Sequence, residues 1–155
     1  VPLDSNYGSS ISVVQRVLKG KDPMLPDLRF AIVDVKDVAK MHVDCIDVKA
    51  TYGQRIIASA DTLSFVEIAK IIKSAFPKSN TKTGKAPNFL IKFLANFDDD
   101  IKAVLPLLGK PMLVSNKNAK SLLGISFISG KTSVEESAAF LVKNRILTSS
   151  DSSIN

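Results

Sequence analysis

An α/β fold is predicted by three stretches of this 155-residue chain. The first is Ala31-Ile32-Val33-Asp34-Val35, a short run rich in β-branched and apolar side chains that reads as a strand buried on both faces. Asp37 then supplies an N-cap oxygen, Asp34 sits at the strand end within reach of loop amides, and Val38, Met41 and Cys45 repeat at helical spacing. The second is Gln54 to Ser59, a further strand after the turn at Ala50 to Gly53. The third is a capping box, Ser64 with Glu67, heading a helix whose apolar stripe is Phe65, Ile68, Ala69, Ile72 and Phe76 and which Pro77 stops.

The remaining elements follow in chain order. Val1 to Gly8 is a loop, with Pro2, Asp4, Asn6 and Gly8 as turn residues. Ser9 or Ser10 can cap the next helix, where Ile11, Val14 and Leu18 recur on one face and Gly20 closes the end. Pro23 and Pro26 make Lys21 to Leu28 a rigid connector. Lys78 to Ala86 is polar and reads as a flexible surface loop or a lid. Pro87 suits the first position of an apolar helix running to Phe97.

Asp98, Asp99 and Asp100 precede a helix over Ile101 to Leu108 and answer its positive end. No histidine or second acidic cluster lies nearby in sequence to complete a metal shell. Met112 to Val114 suggests a short strand, and Ser115 or Asn116 caps a helix through Leu123 that Gly124 closes. The last helix begins at a cap of the form Ser133-x-x-Glu136 and buries Val134, Ala138 and Leu141. Ser149 to Asn155 is a polar tail expected to be disordered.

Composition narrows the function classes. Hydrophobic residues make up 45% of the chain, enough for one core and slightly high for a small basic domain. Such apolarity fits a half-molecule with one face meant for missing partner strands. The formal charge of +6 raises nucleic acid as a partner, but the lysines are scattered, arginine is scarce and Trp is absent. The expectation is therefore no nucleic acid. Cys45 is the single cysteine, reads as a small buried hydrophobe and fits a reducing, cytoplasmic setting. No apolar run approaches the ~20 residues of a membrane span.

Two apparent motifs fail, one on spacing and one for want of a partner. Gly124 and Gly130-Lys131-Thr132 are separated by five residues where a P-loop needs four. His42, the only histidine, has no serine or cysteine beside it to form a nucleophilic relay, and is expected to bond a neighbouring backbone group.

Val33-Asp34-Val35-Lys36-Asp37-Val38-Ala39 with His42 resembles the late V-D-V-x-D-V-A block of extended short-chain dehydrogenase/reductases, most closely the dihydroflavonol-4-reductase-like aldehyde and ketone reductases. Further blocks follow in the order that family uses: Ser9-Ser10-Ile11, Gly53 to Ser59, Leu63 to Ala69, Asn116 to Gly124 and Ser133 to Glu136. Family members also carry a Gly-rich dinucleotide loop and a Tyr-x-x-x-Lys pair. Here Tyr7 is followed four residues on by Ile11 and Tyr52 by Ile56, and no Gly-x-Gly-x-x-Gly occurs.

The resemblance therefore implies the C-terminal part of a Rossmann-like extended reductase, mostly helices with a few short strands. Residues 1–148 would be its substrate-binding portion and 149–155 its tail, with the N-terminal dinucleotide-binding half absent as the missing partner. It implies a parent enzyme that passes hydride between NAD or NADP and a small-molecule carbonyl, the cofactor, catalytic Tyr and Lys all belonging to the other half. This chain would contribute no catalytic, cofactor or metal residue. Its substrate contacts, by alignment on Asp37, would be Arg29, Phe30 and Ala31, with Ser10 at the pocket border. Many relatives of this type dimerise through the other half, which leaves a homodimer open.

Two rival readings remain. One is a nucleotide-sugar epimerase or dehydratase of the same superfamily. The other is a non-enzymatic module whose basic surface binds RNA or an acidic protein, which predicts salt-sensitive polyanion binding.

Overall fold

The computed structural model describes residues 9–97 and 99–144. The loop and tail expected at 1–8 and 149–155 lie outside them. Three helices form the main layer: α1 (Ser9–Leu18), α3 (Phe65–Ala75) and α7 (Gly130–Lys143) all pack on one another. Leu18, Ile72, Ala138 and Leu141 are wholly buried between them. The expected stripe of α3 forms: Phe65, Ile68, Ala69 and Ile72 are buried, Phe76 just past the helix is half-buried against the same core, and both halves of the Ser64/Glu67 capping box form.

At the edge of this layer, β1 (Arg29–Ile32) pairs antiparallel with β2 (Asp61–Ser64), with Arg29 opposite Ser64 and Ile32 opposite Asp61. A second, smaller core lies under α2 (Val35–Asp47) and α6 (Lys117–Leu123), where Met41, Ala119 and Ile125 are buried against Ile56, Leu123 and Phe127. Two short helices, α4 (Asn88–Leu94) and α5 (Asp99–Val104), complete the chain order, with single 3-10 turns at Lys49–Thr51 and Leu105–Leu107.

Several boundaries differ from the sequence expectation. The central strand lies earlier, at Arg29–Ile32, and alternates between exposed and half-buried residues instead of being buried on both faces. Only the face carrying Phe30 and Ile32 packs on the core, so the other is left open. The cap of α2 is Asp34, not Asp37: the Lys36 N–H donates to Asp34 Oδ1 at 2.9 Å, and Asp37 falls inside the first turn. Gln54 to Ser59 is not a strand. Its Ser59 and Arg55 carbonyls accept from the Asn116 and Asn118 side chains, so side-chain amides stand where a neighbouring strand would.

Met112 to Val114 is likewise irregular, and the helix expected over Ile101 to Leu108 ends at Val104 because Pro106 has no N–H to continue it. Pro87 stands at the N-cap of α4, one residue before the position expected. The last helix starts at Gly130, capped by Ser129, whose Oγ accepts from the Thr132 N–H; Ser133 and Glu136 lie within it. Helix α1 includes Ser9 and Ser10, so neither is its cap. His42 donates from Nδ1 to the Val38 carbonyl at 2.8 Å, the backbone bond expected of it. Cys45 is half-buried.

The segment expected to be a loose loop or lid is tied down. Leu25 N–H donates to the Gly84 carbonyl and Ala86 N–H to the Leu25 carbonyl, at 2.8 and 2.7 Å. Ser79 and Thr81 are buried and bonded to each other, and Lys73 Nζ donates to the Ser79 carbonyl. Gly20 is the reason this packing closes. It takes a positive φ of 59°, and a Cβ there would press into the Asn80 carbonyl oxygen.

Candidate functional site

The site is built around β1 and the turn into α2. Strand side chains alternate, so Arg29 and Ala31 share one face and Phe30 takes the other. Phe30 meets Phe65 edge to face with ring centroids 5.5 Å apart and packs on the main core. Its neighbours Arg29 and Ala31 are exposed. Of the four residues expected to meet substrate, the fold thus places two on an open face, turns Phe30 inward, and holds Ser10 on a separate element, exposed in the first turn of α1.

The outer edge of β1 is covered by a residue that local pattern did not single out. The Ala31 N–H donates to Met112 Sδ at 3.1 Å, across 81 residues of sequence. The segment carrying Met112 is anchored just upstream, where the Gly109 N–H donates to the Asp27 carbonyl at 2.8 Å and Asp27 pairs with Lys85 at 2.9 Å. Met112 therefore lies at the edge of β1 beside Ala31, on the strand that also carries Arg29. A guanidinium there can receive a carbonyl or carboxylate oxygen, while alanine leaves room and a thioether offers a soft wall.

Three aspartates fix the opposite end of the strand pair to the start of α7. The Gly130 N–H donates to Asp61 Oδ2 at 2.6 Å, the Ile128 N–H to Asp37 Oδ2 at 2.8 Å, and the Ser133 hydroxyl to Asp34 Oδ2 at 3.0 Å. A side chain at 130 would press on Asp61, with Cβ 3.2 Å from Oδ2, so glycine permits the approach. Because Asp61 and Ser129 occupy the first amides of α7, its capacity to hold an anion is used internally. Burial pushes the Asp34 carboxyl up, yet the bonds from the Lys36 amide and the Ser133 hydroxyl, with the Lys36 charge, hold it below the ordinary aspartate value. Glu67 is also lowered, first by its bonds with Ser64 and further by the charges of Arg29 and Lys70. Arg29 thus stands close enough to the capping box to act on it electrostatically.

No family model matches the chain. It is 29% identical over 121 residues to the NADPH-dependent methylglyoxal reductase GRE2 of Saccharomyces cerevisiae, covering 77% of this chain and 31% of that protein. The crystal structure of yeast methylglyoxal/isovaleraldehyde reductase Gre2 complexed with NADPH overlays 92% of this chain on 38% of its own, with TM-score 0.64 and 24% identity. Gre2 from Candida albicans overlays 92% on 39%, with TM-score 0.64 and 21% identity.

In sequence the chain is thus similar to NADPH-dependent methylglyoxal reductases. Its mostly helical fold with few short strands matches the C-terminal part of that reductase fold, as the collinear blocks implied. It spans about a third of the length of the curated relatives it matches, 31% and 37%. Among the described residues, no helix is long and apolar enough to cross a membrane. The positions that sequence reasoning missed, Met112, Asp61 and Ser133, act through contacts 69 to 99 residues away, for which local periodicity carries no signal.

Proposed function

We propose that this chain is the substrate-binding portion of an NADPH-dependent reductase of small aldehydes or ketones. The observation that carries the reading is the match with NADPH-dependent methylglyoxal reductase over 77% of the chain, joined to an exposed Arg29 on the open face of β1. In this reading residues 1–148 grip the substrate, and a separate dinucleotide-binding portion contributes the cofactor and the proton donor. Arg29 orients the carbonyl oxygen, Ala31 leaves space for the carbon skeleton, and Ser10 borders the entrance. Phe30 acts through Phe65, setting the tilt of the strand from behind. The protein works in the cytosol, where its one cysteine stays reduced, and its scattered lysines serve solubility without a nucleic-acid partner.

The test is expression of a longer reading frame containing this chain, with NADPH consumption followed against methylglyoxal and isovaleraldehyde. Turnover is expected, and Arg29→Ala raises KM more than it lowers kcat. A well-folded longer protein that neither binds NADPH nor consumes either aldehyde overturns the proposal.

A further inference from the structure

The three methionines of the chain stand in different surroundings. Met41 is buried in the second core, Met24 is exposed on the connector before β1, and Met112 is half-buried at the edge of that strand. The Leu28 and Ile32 carbonyls accept the Phe65 and Ala60 amides on the β2 side, so the intervening Ala31 turns its N–H to the opposite edge. There the Met112 thioether stands in for a neighbouring strand, accepting that N–H at 3.1 Å. Among the described residues, 111–115 make no backbone-to-backbone hydrogen bond. The sulfur is thus the polar tie that fastens this segment to β1.

We propose that Met112 is a site of reversible oxidation by a small hydroperoxide, and that its sulfoxide detaches residues 111–115 from the edge of β1. A thioether sulfur has two lone pairs. Ala31 engages one, and the half-buried side chain leaves the sulfur within reach of a molecule the size of hydrogen peroxide. A sulfur lone pair attacks one peroxide oxygen, the S–O bond forms as the O–O bond breaks, and the departing hydroxide takes up the remaining proton as water. Sulfur gives up two electrons and the peroxide gains them, which leaves methionine sulfoxide. The oxidised sulfur is electron-poor and a worse acceptor, and the added oxygen needs room at a contact of 3.1 Å. The segment therefore withdraws and the Ala31 N–H meets water. Because β1 also carries Arg29, the change acts on the strand assigned to substrate; that consequence rests on the reductase reading, whereas the modification itself does not.

Peptide mass spectrometry and amide hydrogen exchange on the 155-residue chain treated with hydrogen peroxide test this without NADPH or an aldehyde, so the outcome stands apart from the reductase assay. In a Met24→Leu background, one added oxygen is expected at Met112 and none at Met41, with circular dichroism unchanged. Exchange at Ala31 then speeds about two- to tenfold, the range for losing one hydrogen bond of ordinary net strength. Methionine sulfoxide reductase with dithiothreitol restores the slow rate. Met112→Leu keeps the bulk and removes the acceptor, so its Ala31 exchanges fast from the start and does not respond to peroxide. A Met112 that stays unmodified while Met24 of the native chain is oxidised overturns the proposal. So does a Met112 sulfoxide that leaves exchange at Ala31 unchanged or slower. Recovery with dithiothreitol alone assigns the change to Cys45 and overturns it as well.

Discussion

Helices α3 and α4 are both apolar and both lie near the middle of the chain, yet they end in opposite situations. In α3 the stripe Phe65, Ile68, Ala69 and Ile72 is buried between α1 and α7. In α4 only Ile91 and, just past its end, Ala95 turn inward, and the phenylalanines face outward. The difference teaches that apolar periodicity reports a face, and that the face acquires meaning only from what the rest of the chain brings to it. Helix α2 makes the same point within one element. Met41 is buried over the second core while Val35, Val43 and Ile46 on its other side are exposed, and Tyr52 extends that side by donating its hydroxyl to the Ile46 carbonyl.

The largest expected effect tests this contrast directly. Ile72→Ala should cost about 2–5 kcal/mol in urea unfolding, because it opens a cavity among α1, α3 and α7. Phe89→Ala in α4 should stay within about 0.5 kcal/mol on the monomer, since it removes a mostly solvated side chain. Similar losses in the two variants would break the comparison.

Next comes the junction between α1 and the loop that follows α3. Gly20→Ala should destabilise by about 1–3 kcal/mol, since it combines a positive φ with the approach to Asn80. Gly124→Ala, at an equally positive φ but with no atom within 4 Å of its would-be Cβ, should cost clearly less in the same assay. Asp61→Ala leaves the Gly130 amide without its acceptor and should cost about 1–3 kcal/mol, read as lowered Tm and faster hydrogen exchange at the start of α7. Ser64→Ala should cost about 1 kcal/mol through loss of one half of the capping box.

The smallest effect is on pH dependence. Asp34 is held below its ordinary value of 3.8, so its contribution to stability is complete above that value and fades as pH falls through the lower native one. Asp34→Asn should therefore flatten the decline of Tm below about pH 4. An unchanged acid slope would mean that the Ser133 and Lys36 bonds do not distinguish the ionised form.

Elements with a local cause were legible in the residues alone. The capping box at Ser64 and Glu67, the stop at Pro77, the closing of α6 by Gly124 and the backbone bond of His42 need only a few neighbouring residues. The ordered blocks from Ser9 to Glu136 also carried the reductase relationship, which no single block could have done. Tertiary structure decided the rest. It moved the strand to Arg29–Ile32, because pairing with Asp61–Ser64 sets where a ladder begins. It left Gln54 to Ser59 outside any sheet, because Asn116 and Asn118 took its carbonyls. It turned Phe30 inward and brought Met112 to Ala31, because the strand has one open face and one open edge, and distant segments fill what local pattern leaves bare.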